Sequence, residues 1–344
     1  MSMADKRLSA LLASALVVWA GAAAGQQLTE QAAATTPQHD QGTTIKPAAQ
    51  VHFDAADRAA GRDFTGALGA CDGARPPGLK RRQPGAARPE PVRSEPYAQV
   101  FDNLYFFTSQ SVAAWAVATP DGIILIDALD NQDEIMSVVE PGLRKFGLDP
   151  AQIKYVVVTH GHGDHFGGSA YLATKYHARV MMSDLDWTLA PTMLDKPTFN
   201  PPPPRDLVIK DGDKLTLGGE TISLYLTPGH TRGTVSLLIP VTDRGRKHVA
   251  GLWGGAGFNF PHSPERFQTY ADSIQHFAGP AAAAGADVPL SNHPVNDDAV
   301  RKAAAMTTRG GEDPNPFVMG RDGMQRYLTT FSECALAYKA QISN

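Results

Sequence analysis

The chain has 344 residues, 42% of them apolar, and a formal charge of −4, enough hydrophobic material for a substantial core and too much for a chain disordered throughout. The mild acidity excludes the basic stripe that a phosphate-backbone binder needs, so nucleic acid is not an expected partner. At the N-terminus Lys6 and Arg7 precede an apolar run over 8–19, and small residues over 21–25 follow, the order of a secretory signal. Residues 1–25 therefore read as a cleaved signal peptide and the mature protein as periplasmic or secreted. The run is too short to span a bilayer, so no membrane anchor is expected after cleavage. Cys71 and Cys334, the two cysteines present, could form one bridge in an oxidising compartment, and two free buried thiols are the alternative.

Residues 26–94 read as an N-terminal extension, partly irregular, with a helical piece over 51–71. From Tyr97 the texture changes, and a domain over 95–344 is expected. YAQVFDNLYFF, SVAAWAVAT and DGIILIDAL read as successive strands. A helix over 131–146 ends at Gly147, and YVVVT follows as a strand buried on both faces. Further strands are expected near 206–210, 213–217, 220–227, 233–239 and 247–252, then a helix over 264–277, a strand over 287–291, and helices over 295–307 and 320–341. Two strand groups, each followed by helices, fit an α/β fold in which two sheets pack face to face with helices outside, a four-layer αββα sandwich. The proline run 201–204 marks a loop between the halves that borders the site.

Chemistry concentrates in THGHGDHFGG, residues 159–168, directly after the buried strand. His160 and His162 alternate on an extended segment and can grip one cation, while Asp164 and His165 reach a second beside it. A loop of solvated histidines is the bland alternative, but four such groups crowded around a glycine-rich turn are a metal signature. His230 in LTPGHT and His293 in LSNHP also sit at strand ends. The six side chains divide as His160, His162 and His230 on one metal, and Asp164, His165 and His293 on the other. Two zinc ions (Zn2+) suit this nitrogen-rich set, with iron and manganese left open by ligand type. Such a pair would generate hydroxide near neutral pH and polarise a carbonyl, with Asp164 as the catalytic residue orienting the hydroxide.

THGHGDH, Asp127 at the end of IILID, LTPGHT and NHP together resemble the metallo-β-lactamase superfamily over residues 97–344. His165 and the lack of a cysteine in the site resemble the third subclass of the zinc β-lactamases. The resemblance implies a small-molecule substrate and hydrolysis of a cyclic amide, with Asp127 as a support residue. Many relatives, glyoxalase II among them, carry a bridging aspartate after the TPGHT motif, whereas VAGLWGGAGFNF, 249–260, offers no carboxylate. The same stretch replaces the serines and tyrosine of the third subclass with Leu252, Gly254 and Phe258. Trp253, Phe258 and Asn259 are the expected substrate contacts, with core packing of the two aromatics as the alternative. A lactone, ester or other amide is the competing substrate, and a di-iron redox protein or a binding-only role the competing class.

Overall fold

Continuous apolar runs on the early strands dictate a sheet covered on both faces, because successive side chains point to opposite sides. In β3 (Val112–Thr119), Ala113, Trp115 and Val117 enter one core while Val112, Ala114 and Ala116 enter another. In β4 (Gly122–Ile126), Ile124 and Ile126 part from Ile123 and Leu125 in the same way. The computed structural model describes residues 44–76, 79, 95–109 and 111–343. Within them a seven-stranded sheet runs in chain order through β1 (Tyr97–Gln99), β2 (Leu104–Ser109), β3, β4, β5 (Ile153–Val157), β6 (Arg179–Ser183) and β7 (Leu207–Ile209). Pairing is antiparallel up to β4 and parallel beyond it.

The second sheet has the order β12-β11-β10-β9-β8, formed by β8 (Lys214–Leu217), β9 (Glu220–Leu226), β10 (Val235–Asp243), β11 (Arg246–Trp253) and β12 (Val288–Ser291). It is an antiparallel meander to which β12 adds in parallel beside β11. Trp115, Phe106, Ile126, Leu237, Leu252 and Leu290 fill the space between the sheets. Helices cover both outer faces, so the architecture is the four-layer sandwich expected of the strand pattern.

The helices are α1 (Pro47–Ala60), α2 (Gly69–Asp72), α3 (Gln132–Glu134), α4 (Glu140–Lys145), α5 (Gly163–Phe166), α6 (Ser169–Tyr176), α7 (Asp184–Leu189), α8 (Pro264–Ala283), α9 (Ala299–Met306) and α10 (Gly320–Ile342). Helices α3 and α4 are one run, capped by Asn131 Oδ1 accepting from Glu134 N at 3.0 Å and stopped at Gly147, φ 76°. A π turn over Ile135–Val139 interrupts it next to Pro141, whose missing N–H breaks the regular ladder. None of these helices is long and apolar enough to cross a membrane.

Three segments depart from the sequence pattern. The helix expected over 51–71 is divided, because Gly61 at φ 54° ends α1. The helix expected over 295–307 starts only at Ala299, because Asp297 holds 291–299 in a turn: Oδ2 accepts from Ser291 N and Oδ1 from Ala299 N. Helices α6 and α7 and strand β6 had no counterpart in that reading. Residues 1–25, expected from the sequence to be a signal peptide, lie outside the described residues. The described part of the extension packs into the molecule: α1 lies along α10, and Phe53, Phe64 and Cys71 share a core with Phe277, Tyr327 and Cys334. Cys71 and Cys334 form a disulfide across 263 residues of chain.

Candidate metal centre

Strands β5, β9 and β12 end at one edge of the sandwich, and each runs into a turn that carries ligand-type side chains. After β5, the chain turns through 159–162 into the single helical turn α5, which presents Asp164 and His165. Gly163 is glycine because a Cβ there would lie 2.1 Å from the Phe199 ring. After β9, Gly229 adopts φ 151° with Tyr270 against it, which swings His230 back towards the first turn.

The structure brings the six residues together as two triads. His160, His162 and His230 each offer one nitrogen, all within 4.8 Å of one another, and a carboxylate oxygen of Asp164 and one nitrogen each from His165 and His293 lie within the same distance of one another. His230 Nε2 lies 2.9 Å from His160 Nε2 and 3.1 Å from His162 Nδ1, and His165 Nε2 lies 3.3 Å from His293 Nε2. The rings of His160 and His165, 4.1 Å apart, join the triads.

Outer partners fix which nitrogen of four rings carries the proton. His230 Nδ1 donates to Gly257 O at 2.8 Å and His293 Nδ1 to Ser111 O at 3.0 Å, since a carbonyl can only accept. His165 Nδ1 donates to Asp127 Oδ2 at 2.8 Å. The Thr159 hydroxyl donates to the same carboxylate oxygen, so its own oxygen accepts from His160 Nδ1 at 3.1 Å. Nε2 of each of these rings is left facing inwards.

Electrostatics agree with neutral rings in the first triad. Burial pulls the pKa of His160 and His230 well below the ordinary imidazole value, and that of His162 to about 4. His293 is lowered for the same reason. Burial also pulls His165 down, but Asp164 and Asp127 outweigh it and raise its pKa. Burial pushes Asp164 up, yet His165, His293 and His162 hold it below the usual carboxylate range. Bare nitrogens facing one another at about hydrogen-bond distance repel on their own. A divalent cation among them is what such a donor set fits.

Of the three expected substrate contacts, only Asn259 reaches the surface. Trp253 is fully buried against Tyr270 and Phe277, and its indole N–H donates to Tyr270 Oη; Phe258 packs between Phe267, Tyr270 and Tyr338. The aromatic wall read from the sequence is thus core, because the end of β11 and the segment after it set Trp253 against α8 and Phe258 against α8 and α10. Asn259 Oδ1 would lie 3.0 Å from a Cβ on Gly257, the residue whose carbonyl holds His230. His262 packs on Tyr338 and Phe267 and bonds to Phe258 O, away from both triads.

Of the supporting residues, Asp127 is the one the sequence points to, whereas Asn292, although it lies in the NHP motif, is not singled out because its partners come from distant turns. Asn292 donates from Nδ2 to Thr159 Oγ1 and to Gly254 O, both at 2.9 Å, and so ties the turn before His293 to the one before His160. Asp127 Oδ1 accepts from Thr159 N at 2.7 Å, and its φ of 60° aims the carboxylate at this knot.

Residues 108–243 match the family model described as the Metallo-beta-lactamase superfamily. Among curated proteins the chain is 30% identical over 125 residues to a hydroxyacylglutathione hydrolase of Acidiphilium cryptum, covering 36% of this chain and 43% of that protein. It is 38% identical over 160 residues to an uncharacterized Bacillus subtilis protein, YobT, covering 43% and 65%. The chain thus spans about half the length of the curated relatives it matches. Among solved structures, the subclass B3 metallo-beta-lactamase of Bradyrhizobium japonicum superposes with TM-score 0.58 at 25% identity, over 69% of this chain and 91% of that one. A mutant of the Legionella gormanii metallo-beta-lactamase gives TM-score 0.62 at 23% identity, over 72% and 97%. Fold and sequence match agree that this chain carries a metallo-beta-lactamase superfamily domain.

Proposed function

We propose that the protein is a zinc-dependent hydrolase that holds two ions, one through His160, His162 and His230 and one through Asp164, His165 and His293, and opens a cyclic amide of the β-lactam class. The observation that carries this reading is the pair of abutting triads whose proton-bearing nitrogens are turned outwards onto fixed acceptors. When bound, the ions supply Lewis acidity for the substrate carbonyl and the means to ionise water near neutral pH. Asp164, which would also hold the second ion, orients the attacking water by accepting a hydrogen bond at a carboxylate oxygen. Asp127 and the Gly257 and Ser111 carbonyls hold the rings in place during the reaction.

The segment 249–260 has no carboxylate, which separates this site from relatives with a bridging aspartate and favours a β-lactam over a glutathione thioester. The second reading keeps the metals and changes the substrate to a lactone, an ester or another amide. It is favoured by burial of Leu252, Gly254 and Phe258, which leaves that strand end without a hydroxyl to hold a substrate. The Cys71–Cys334 disulfide supports an exported, oxidising setting, with residues 1–25 as the signal. Turnover of nitrocefin and imipenem by the zinc-loaded mature protein, beside a lactone and ester panel, tests the proposal. β-Lactam hydrolysis well above a His162→Ala control is expected, and turnover confined to the other panel would leave only the second reading.

A further inference from the structure

The two turns that carry the three-histidine triad come from different sheets, one after β5 and one after β9, and a single buried carboxylate lies between them. Asp186, in the first turn of α7, is 1% exposed. Its Oδ2 accepts from Gly161 N, between His160 and His162, at 2.9 Å. The same oxygen accepts from Thr231 Oγ1, next to His230, at 2.6 Å, and Oδ1 accepts from Gly233 N at 3.1 Å. Space for this approach exists because both backbone donors are glycines: a Cβ on Gly233 would lie 2.7 Å from Asp186 Oδ1, and one on Gly161 would lie 2.8 Å from Asp186 O. Arg266, from the first turn of α8, donates to Gly229 O and, at 3.0 Å, to His230 O. The turn bearing His230 is therefore gripped by its N–H and hydroxyl donors through Asp186 and by its carbonyls through Arg266.

We infer that Asp186 is a positioning residue that sets the distance between the His160–His162 turn and the His230 turn, and so controls cation affinity at the three-histidine site without touching the cation. This rests on the proposed use of that triad as a metal site. The rings of the second triad are held by Asp127, which also reaches His160 through Thr159, and by Ser111 O, and none of them bonds to Asp186. A carboxylate is required because three donors converge on it. A carboxamide presents its own N–H2 to at least one of them, in either orientation, and opens that side of the clamp.

The experiment measures cation affinity by chelator competition with zinc, checked by the cobalt absorption spectrum, and needs no substrate. In a His293→Ala background, which isolates the three-histidine site, Asp186→Asn is expected to weaken binding by about 10- to 100-fold. In a His230→Ala background, which isolates the other site, the same substitution is expected to change affinity by less than about threefold, the scatter of an independent pair of sites. Equal weakening in both backgrounds, or none in the first, overturns the inference. If Asp186→Asn does not fold, Thr231→Val removes one of the three donors and should weaken the first site alone, with unchanged affinity there overturning the inference. Uptake of no cation by the His293→Ala parent contradicts the metal reading itself, and the clamp with it.

Discussion

The layer of α1, α2 and α10 and the edge where the triads meet are secured by opposite means. The first is packed from apolar rings, Phe53, Phe64, Phe331 and Tyr327, and closed by a covalent bridge between Cys71 and Cys334. The second has few apolar contacts at its centre and depends on oriented hydrogen bonds from Asp127, Thr159, Asn292 and two backbone carbonyls. Apolar packing is non-directional and sets how stable the molecule is. A hydrogen bond to one ring nitrogen decides which way the other faces, so damage there should reach the chemistry before it reaches stability.

Four substitutions probe that contrast. His230→Ala, at the centre of the first triad, should lower kcat/KM by about a thousandfold, roughly 4 kcal/mol of lost transition-state stabilisation, with little change in the thermal midpoint of the metal-free protein. Comparable activity in the zinc-loaded variant would remove His230 from the site. Cys71→Ser should do the reverse. Urea unfolding should show a loss of about 3 to 5 kcal/mol, because the bridge closes a very long loop, while zinc stoichiometry stays at the parent value.

Asp127→Asn should weaken zinc at the Asp164, His165 and His293 site by about 10- to 100-fold in chelator competition, because the amide takes away an acceptor shared by His165 and Thr159. Undiminished affinity would mean that ring orientation there is set by something else. The smallest effect belongs to Glu140, far from both triads. Burial pushes its carboxyl up, but hydrogen bonds from Lys175, Tyr176, Tyr171 and Arg144 outweigh this and bring its pKa to about 2, from the usual 4.5. Its contribution to stability is therefore fully present above pH 4.5 and is lost as pH falls towards 2. Glu140→Gln should lower stability at neutral pH and flatten the acid limb of a denaturation series, and an unchanged slope would contradict the shift.

The sequence made the site legible because glycines and imidazoles at strand ends carry a dense local signal: six residues in three short motifs, and all six converge in the fold. The layered architecture was equally readable from the continuous apolar runs of β3 and β4, whose successive residues enter opposite cores. Burial on a distant face was not. Trp253 and Phe258 flank residues 254–257 where β11 ends, and nothing local shows that their rings face α8 and α10. Asp186 was invisible for a related reason. An acidic residue near a helix start reads as a capping group, and only the return of two other turns to the same point gives it three donors. Helix ends failed where one side chain overrode the periodicity, as Asp297 does before α9.

The most direct test is an anomalous diffraction map of zinc-soaked crystals at the zinc edge. Two peaks are expected, one bounded by His160 Nε2, His162 Nδ1 and His230 Nε2 and the other by Asp164, His165 Nε2 and His293 Nε2. A single peak, or zinc bound elsewhere with these six side chains unliganded, would contradict the account.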